Sequence, residues 1–378
     1  MRIENSKWKL VKLGDIFKIS SGGTPLKSKP EYYENGTIGW VRTGDLKNKY
    51  ITKIKGLITE EALNNSSAKL FPFDTVLIAM YGATIGACSI LSVKAATNQA
   101  CAAFLPSKEV ESSYLYYFFC SKKNDFIKMG VGGAQPNISA TILKGVQMPL
   151  PPLETQKQIS KTLDTISELL AMRKQQLAEL DSLIKSTFYD MFGDPVTNEK
   201  GWRIEKLKDF ATLLNGRAYN QDELLKDGKT PVLRVGNFFS NRGWYFSDLE
   251  LGINKYCDKG DLLYAWSASF GPKIWDGPKV IFHYHIWKIL LNDEVNKQFV
   301  FSLLKYATEK LKEGTHGIAM MHLTKGGMEQ TDFIVPTLSL QTQFAEIVTK
   351  IEEQKALVKK AIDEIQVLFD SLMCKYFE

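Results

Sequence analysis

The chain has 378 residues, of which 44% are hydrophobic and 24% are charged. These values are ordinary for a folded protein of two or three domains, and they exclude an intrinsically disordered chain. The formal net charge of +6 is too small by itself to identify a partner.

The five cysteines show no paired spacing and no CxxC motif. This pattern argues against disulfides and structural zinc, and it predicts a reducing, cytoplasmic location. The N-terminal residues, MRIENSKWKL, do not have the pattern of a signal peptide. One uncharged run, residues 75–93, approaches the length of a membrane span, but small and polar residues break it into short strands. We therefore predict no membrane segment.

Residues 1–152 predict a domain of mixed strands and helices. The strand and turn IGWVRTGDL is followed by the apolar strand and small-residue loop FDTVLIAMYGATIG, and then by the strand QACAAF. A helical run from Ser113 to Lys128 follows these strands. The first globular domain is therefore mixed α and β.

Residues 153–193 predict one long helix, which is entered through the proline pair of PPLETQKQI and ended by Gly193 and Pro195. Its apolar residues follow alternating steps of four and three, with one interruption at Arg173. This is the pattern of a coiled-coil seam, which requires a partner helix. The seam consists of Ile159, Leu163, Ile166, Leu170, Leu177, Leu180, Ile184 and Met191.

Residues 194–335 repeat the organisation of the first domain. WRIEKLKDFATLLNGRAY matches WKLVKLGDIFKISSGGTP, PVLRVGNFF matches IGWVRTGDL, and YHIWKI matches QACAAF. The match places Arg234 over Arg42 and Asn237 over Asp45. A helical run from Glu294 to Glu313 again follows the strands. The second domain is therefore predicted to have the fold of the first.

Residues 336–378 predict a second long helix with the same seam, displaced by 185 residues. Its members are Phe344, Val348, Ile351, Val358, Ile362, Ile365, Phe369, Leu372 and Tyr376. The predicted fold class is α+β, with two similar mixed α/β domains joined by two long antiparallel helices in a coiled coil. The two halves form an internal repeat with pseudo-two-fold symmetry.

Positive charge is concentrated in the globular domains. Residues 1–152 carry 19 Lys and Arg against 11 Asp and Glu, and residues 201–335 carry 18 against 16. Residues 153–200 and 336–378, which contain the helices, are each acidic. This distribution suits domains that contact a polyanion and are joined by helices that do not.

Motifs for catalysis are absent from the sequence. It contains no glycine-rich dinucleotide loop, no HExxH, no GxSxG and no Asn-Pro-Pro-aromatic motif of adenine methyltransferases. His283 and His285 are predicted to share one face of a strand, with His316 and His322 downstream, so a zinc site is conceivable. The first domain has no histidine at the matching positions, and we predict neither a metal site nor catalysis.

Glycine-interrupted polar loops that carry cations and aromatic residues recur in both halves. Such loops can present donors to base edges and phosphates, and a guanidinium can bind guanine or phosphate through two hydrogen bonds. An arginine that follows a strand can equally form a structural ion pair. The candidate DNA-binding residues in these loops are Lys27, Lys29, Arg42, Thr43, Asp45, Lys47, Lys49, Gln135, Asn137, Arg217, Tyr219, Arg234, Asn237, Arg242, His316 and His322.

The order and duplication of these motifs resemble the specificity subunit of type I restriction-modification systems. The resemblance rests on W-x-L/I-x-K-L near each domain start, the SGGTP loop, WVRTGDL, and PPLETQKQI at the start of a long helix. It spans both copies and nearly the whole chain. Two details depart from the usual pattern: Thr155-Gln156 and Leu340-Gln341 replace Glu-Gln, and Pro336-Thr337 replaces the second proline pair.

The resemblance implies a non-catalytic subunit with two target-recognition domains. Each domain would read one part of a split sequence in double-stranded DNA, and the coiled coil would set the gap between the parts. It also implies two methyltransferase subunits and, for cleavage, endonuclease and translocase subunits as partners. S-adenosylmethionine, ATP and magnesium would bind those partners and not this chain.

Two alternatives from other functional classes remain at this point. One is a histidine-metal nuclease in the second domain. The other is a scaffold whose coiled coil binds proteins without contacting DNA. Salt-sensitive binding to duplex DNA separates the scaffold from a DNA-reading subunit, because phosphate contacts weaken as counterions compete.

Overall fold

The fold is described from a computed structural model, which describes residues 8–130, 137–240, 242–267, 270–314 and 324–378. The chain forms two compact units. Unit 1 comprises residues 1–174 and 360–378, and unit 2 comprises residues 175–359. Each unit thus consists of one globular part and a portion of both long helices.

Unit 1 is built from short strands and short helices that precede the first long helix. Its strands are β1 (Lys9–Lys12), β2 (Ile19–Ser21), β3 (Ile38–Val41), β4 (Tyr50–Ile51), β5 (Leu57–Ile58), β6 (Leu70–Phe71), β7 (Val76–Ala79), β8 (Cys88–Leu91), β9 (Ala95–Thr97), β10 (Cys101–Phe104) and β11 (Gln147–Leu150). Its helices are α1 (Leu13–Ile16), α2 (Glu60–Asn64), α3 (Ser112–Ser121), α4 (Lys123–Met129) and α5 (Ala140–Gly145), followed by the start of α6 (Leu153–Phe192).

Unit 2 repeats most of these elements between the two long helices. Its strands are β12 (Ile204–Lys206), β13 (Ala211–Asn215), β14 (Thr230–Leu233), β15 (Tyr245–Ser247), β16 (Tyr256–Cys257), β17 (Leu262–Ala265), β18 (Gly271–Ile274), β19 (Val280–Phe282), β20 (Ile286–Leu291) and β21 (Asp332–Ile334). Its helices are α7 (Leu207–Phe210), α8 (Val235–Phe239), α9 (Lys297–Gly314) and α10 (Lys325–Glu329), followed by the start of α11 (Leu338–Phe377).

The sheets of the two units have equivalent strand orders. In unit 1 the orders are β1-β11, β2-β10-β7-β8-β4 and β5-β3-β9-β6. In unit 2 they are β12-β21, β13-β20-β17-β18 and β15-β14-β19-β16. Strand β4 is the one addition among the described residues. The predicted duplication of a mixed α/β fold is therefore confirmed by topology.

One parallel strand pair recurs at the centre of the sheet β5-β3-β9-β6 and of its equivalent β15-β14-β19-β16. Strand β3 pairs in parallel with β9, where Val41 faces Thr97. Strand β14 pairs in parallel with β19, where Leu233 faces Phe282. The carboxyl ends of two strands therefore meet at the same edge of the sheet in each unit, which is where ligands bind in many parallel sheets.

The long helices contribute directly to the core of each unit. In unit 1 the start of α6 and the end of α11 lie in the same apolar cluster, through Ile159 and Tyr376. In unit 2 the end of α6 meets the start of α11, and the rings of Phe188 and Phe344 are 5.7 Å apart. Within each unit the two helices therefore run antiparallel, as the internal repeat predicted.

The helix ends contain core residues that the seams did not include. Phe188 and Phe192 are buried in unit 2, and Met373 and Phe377 are buried in unit 1. They lie one position beyond the four-three steps, because a globular core covers a wider stripe of a helix than a single partner helix does. Helix α6 begins at Leu153, directly after the proline pair.

A buried glutamine in the first turn of each long helix connects the helix to its domain. The side-chain oxygen of Gln156 accepts from the N–H of Glu111 at 2.9 Å, and its amide donates to the carbonyls of Glu109 and Pro151, each at 2.9 Å. Such bonds supply partners for backbone groups that water cannot reach.

Gln341 repeats this arrangement in unit 2. It accepts from the N–H of Asn296 at 2.8 Å and donates to the carbonyl of Pro336 at 2.8 Å. The glutamine is thus retained in both copies although the residue before it departs from the usual Glu-Gln pattern.

No helix in the described residues is long and apolar enough to cross a membrane.

Candidate nucleic-acid interface

The cleft of unit 1 lies at the carboxyl end of β3. It has a volume of about 310 Å³ and is lined by Lys27, Tyr33, Trp40, Arg42, Gly56 and Leu57. Arg42 is exposed and begins the turn that follows β3. Its backbone N–H donates to the carboxylate of Asp45 at 2.8 Å, which holds the turn. The cleft therefore presents one guanidinium and one ammonium beside aromatic rings.

The SGGTP loop is attached to this cleft by its aromatic residues. Trp40 Nε1 donates to the carbonyl of Gly23 at 3.0 Å, and the hydroxyl of Tyr33 donates to the carbonyl of Pro25 at 2.6 Å. The loop also needs glycine, because a Cβ on Gly22 would lie 1.9 Å from the carbonyl oxygen of Thr97. The loop that carries Lys27 is thus fixed against the parallel strand pair.

The cleft of unit 2 occupies the equivalent place at the carboxyl end of β14 and is larger, at about 660 Å³. Its polar and aromatic lining consists of Lys226, Arg234, Asn237, Arg242, Trp244, Tyr245, His283 and His285. Gly216 takes the role of Gly22, since a Cβ there would lie 2.3 Å from the carbonyl oxygen of His283. The repeat therefore places an arginine-bearing cleft at one position in both units.

The two arginines of the unit 2 cleft are positioned by different means. The guanidinium of Arg234 lies over the ring of Tyr245, 5.0 Å from its centroid. The exposed Arg242 lies in a loop whose shape depends on Asn237. The Asn237 amide donates to the carbonyls of Arg242 and Gly243 at 2.8 and 3.3 Å. Asn237 therefore shapes the loop, and the arginines offer the donors.

Arg217 forms a structural ion pair within its own loop. Its two terminal nitrogens donate to the two carboxylate oxygens of Glu223 at 2.8 and 2.7 Å. The pairing lowers the pKa of Glu223 through the hydrogen bond from Arg217. The guanidinium also lies 5.2 Å from the ring centroid of Tyr219. Both terminal nitrogens of the guanidinium thus have a hydrogen-bond partner, and Arg217 positions the loop.

Lys49 is likewise engaged inside unit 1. Its ammonium is paired with the carboxylate of Asp164 on α6, and its side chain is 15% exposed. It also lies 4.7 Å from the ring centroid of Tyr117. Because an ammonium in this setting is already neutralised, we remove Lys49 and Arg217 from the set of proposed DNA contacts.

The remaining candidates differ in how accessible they are. Lys29 donates to the hydroxyl of Tyr32 at 3.2 Å, and Thr43 is half-buried in the turn after β3. Lys47 and Asn137 are exposed. Gln135, His316 and His322 lie outside the described residues.

His283 and His285 do not lie on a strand, which corrects the sequence interpretation. The chain turns between β19 and β20, and His283 forms a bridge to Arg217 at the end of β19. Their rings are 4.8 Å apart. Burial, His285 and Arg234 together lower the pKa of His283 to about 4, so its imidazole is neutral near pH 7. Among the described residues, no group of three His, Cys, Asp or Glu side chains could hold a metal.

Several residues that line the clefts were not predicted from the sequence. Tyr33, Trp40, Lys226, Trp244 and Tyr245 were not among the candidates. The sequence contained a signal for some of them: Trp40 lies two positions before Arg42, and Trp244 and Tyr245 lie two and three positions after Arg242. Their position around one cleft depends on strands that are distant in sequence.

Comparison with known proteins relates this fold to one family. The model of the type I restriction modification DNA specificity domain matches twice, over residues 5–182 and 199–367. The chain is 27% identical to the type I restriction enzyme MjaIX specificity subunit of Methanocaldococcus jannaschii, over 97% of this chain and 92% of that protein. It is 24% identical to the MjaVIII specificity subunit of the same organism, over 95% of this chain and 89% of that protein.

Solved structures show the same fold. A type I restriction-modification S subunit from M. genitalium superposes with a TM-score of 0.59 at 18% identity, covering 100% of this chain and 98% of that chain. A chain from a structure concerned with complex assembly and conformational transition of the type I R-M system superposes with a TM-score of 0.67 at 15% identity, covering 100% and 99%. With both of its domains matched by the family model, the chain belongs to the type I restriction-modification DNA specificity family.

Proposed function

We propose that this chain reads a bipartite DNA sequence for a type I restriction-modification complex. Each unit reads one half of the target. The two long helices set the distance between the halves and provide the docking surface for two methyltransferase subunits, and endonuclease and translocase subunits join for cleavage.

The observation that carries this proposal is the repeated arginine cleft. Arg42 and Arg234 are both exposed, both follow the strand of the parallel pair and both line a cleft with aromatic walls. A guanidinium can donate two hydrogen bonds to the O6 and N7 atoms of guanine, which identifies the base pair in the major groove. Two such groups in two separate units suit a target that is read in two parts.

The proposal is tested by replacing one arginine at a time. Arg42→Ala should weaken discrimination at one half-site and Arg234→Ala at the other, by about 1–3 kcal/mol per contacted base pair. The measurement is selection from a randomised pool of duplex DNA, with methylation mapping in cells that express the complete system. Arg203→Ala is the matched control, because Arg203 lines a different groove of unit 2.

If both cleft variants retain the sequence preference of the wild type at both half-sites, the arginines have a structural role. The proposal then loses the observation that supports it.

The helix lengths support the proposed role in spacing. Helices α6 and α11 each have 40 residues, which is about 60 Å at 1.5 Å per residue. Two sites read on one face of duplex DNA lie about 34–36 Å apart or more, so helices of this length are sufficient. A second copy of Leu177–Leu180 inserted after Leu180 lengthens α6 by about 6 Å and is tolerable as a stutter.

We expect the insertion to leave both half-sites unchanged and to widen the gap between them by one or two base pairs. Methylation mapping measures the gap. An active variant with an unaltered gap would show that the helices do not measure DNA.

Exposed apolar side chains on the helices support their proposed role in docking. Leu357 and Val367 are 61% and 70% exposed on α11, and Met172 is 59% exposed on α6. Burial of such exposed apolar side chains against a partner would favour association, because it removes apolar surface from water. Val367→Glu should weaken assembly with the methyltransferase subunits and leave the unfolding temperature unchanged. Size-exclusion chromatography and thermal unfolding measure the two effects.

We infer that catalysis belongs to the partners. The sequence lacks the methyltransferase and hydrolase motifs, and S-adenosylmethionine, ATP and magnesium are expected to bind the partner subunits. The purified chain alone should neither methylate nor cleave its target, and addition of the partners should restore both activities. Methylation by the chain alone would contradict this division of roles.

A further inference from the structure

In each unit a polar residue follows the strand that pairs in parallel with the arginine strand. Asn98 directly follows β9 in unit 1, and His283 directly follows β19 in unit 2. The N–H of Asn98 donates to the carbonyl of Val41 at 2.9 Å, and the N–H of His283 donates to that of Leu233 at 2.9 Å. Since these carbonyls belong to the residues immediately before the cleft arginines, Asn98 and His283 occupy equivalent places beside them.

His283 lines the unit 2 cleft together with Arg234. The backbone N–H of His285 donates to Nδ1 of His283 at 3.4 Å, and the ring of Tyr219 stacks on His283 with a centroid distance of 6.3 Å. The lowered pKa keeps the imidazole neutral near pH 7. In a neutral ring whose Nδ1 accepts, the proton is on Nε2. His283 therefore presents a single N–H donor without a net charge.

The surroundings of both residues contain buried polar atoms without a hydrogen-bond partner. These atoms are Oδ1 of Asn98 in unit 1 and the hydroxyl oxygen of Tyr219 in unit 2. Buried polar atoms in folded proteins nearly always have a partner, so each of these two atoms is a candidate to gain one when a ligand binds. The same edge of the fold carries this feature in both units.

We propose that His283 is a specificity-determining residue of unit 2, which donates from Nε2 to an acceptor on the base pair adjacent to the one that Arg234 contacts. This inference rests on the proposed function. A lone donor selects acceptors in the major groove, namely guanine N7 or O6, adenine N7 or thymine O4, and it disfavours the cytosine amino group. Asn98 is the equivalent residue of unit 1 and carries both a donor and an acceptor, the combination that matches adenine N6 and N7.

The test exchanges the two residues in the full-length chain assembled with the proposed methyltransferase subunits. His283→Asn should change the preferred base at one position of the unit 2 half-site toward adenine, with a shift in selectivity of about 5- to 150-fold. Asn98→His should produce the reverse change in the unit 1 half-site. The readout is selection from a duplex pool randomised across both half-sites, and Tyr284→Phe is the control from the same turn.

The outcomes separate this inference from the function on which it rests. If the wild type selects no sequence, the proposed function fails. If Arg234→Ala changes the selected sequence but the folded His283→Asn variant does not, the inference about His283 is overturned and the proposed function remains. If His283→Asn does not fold, Asn98→His decides: an unchanged unit 1 half-site overturns the inference. If His283 had only a structural role, its substitution would lower the affinity for all DNA sequences equally.

Discussion

The clefts of the two units share one framework and differ in their lining. The parallel strand pair, the glycine that approaches the neighbouring strand and the arginine after the strand are equivalent in unit 1 and unit 2. The unit 1 cleft is about 310 Å³, with Lys27 beside Arg42, whereas the unit 2 cleft is about 660 Å³ and adds Arg242 and His283. The comparison indicates that the strands maintain the fold while the loops can diverge in what they recognise.

The largest expected effect comes from a substitution that disrupts the core of one unit and leaves the other core intact. Phe192 and Phe377 occupy matching positions at the ends of α6 and α11, and both are buried. Phe192→Ala should destabilise unit 2 and Phe377→Ala should destabilise unit 1, each by about 3–5 kcal/mol, because each leaves a cavity. Hydrogen exchange measured along the chain should show lost protection in the strands of the affected unit. Equal loss in both units would contradict independent cores.

The glutamines at the start of the long helices should have the next largest effect. Gln156→Ala leaves three backbone groups of unit 1 without a partner, and Gln341→Ala leaves two in unit 2, at about 1–3 kcal/mol for a buried unsatisfied group. Gln156→Ala should therefore be the more destabilising variant in chemical denaturation. The exposed neighbours Gln158 and Gln343 supply matched alanine controls, which should change the free energy of unfolding by less than about 0.5 kcal/mol.

Two lysines of one turn sharpen the distinction between structural and DNA-contacting charge. Lys49→Ala should lower stability by about 1.5–3 kcal/mol, because it removes a hydrogen bond to the charged Asp164, and should leave the salt dependence of DNA binding unchanged. Lys47→Ala should leave stability unchanged and reduce the salt slope by about 1 if its exposed ammonium contacts a phosphate. Binding titrations at several salt concentrations measure the slope. A reduced salt slope for Lys49→Ala would show that Lys49 does contact DNA.

A further expected effect is a pH dependence confined to unit 2. The pKa of His283 falls from 6.5 to about 4 on folding, so between these values the unfolded chain binds more protons than the folded one. Stability should therefore rise with pH from about 4 to 6.5. The neutral His283 therefore contributes its full share to the free energy of unfolding above pH 6.5, and this share is lost as pH falls toward 4. His283→Asn should lose less stability than the wild type over this range, as thermal unfolding at a series of pH values can measure.

Local patterns in the sequence determined the framework of this protein. The four-three steps predicted both long helices and their pairing, because helix periodicity is visible within a few turns. The repeated order of domain and helix predicted that the pair is antiparallel. The matched strings around Arg42 and Arg234 predicted the duplicated strands and turns. The alternative left open for any arginine after a strand was an ion pair, and Arg217 with Glu223 forms one.

Tertiary structure alone decided which charges remain available and which residues meet in a cleft. Lys47 and Lys49 are two residues apart in one loop, but only Lys49 reaches Asp164, which is 115 positions away in the chain. His283 joins Arg234 because β19 pairs in parallel with β14, although the 46 residues between the two strands carry no local sign of that pairing. Periodicity reports on neighbours within a helix or strand, whereas burial and ion pairing depend on contacts between distant segments that no local pattern encodes.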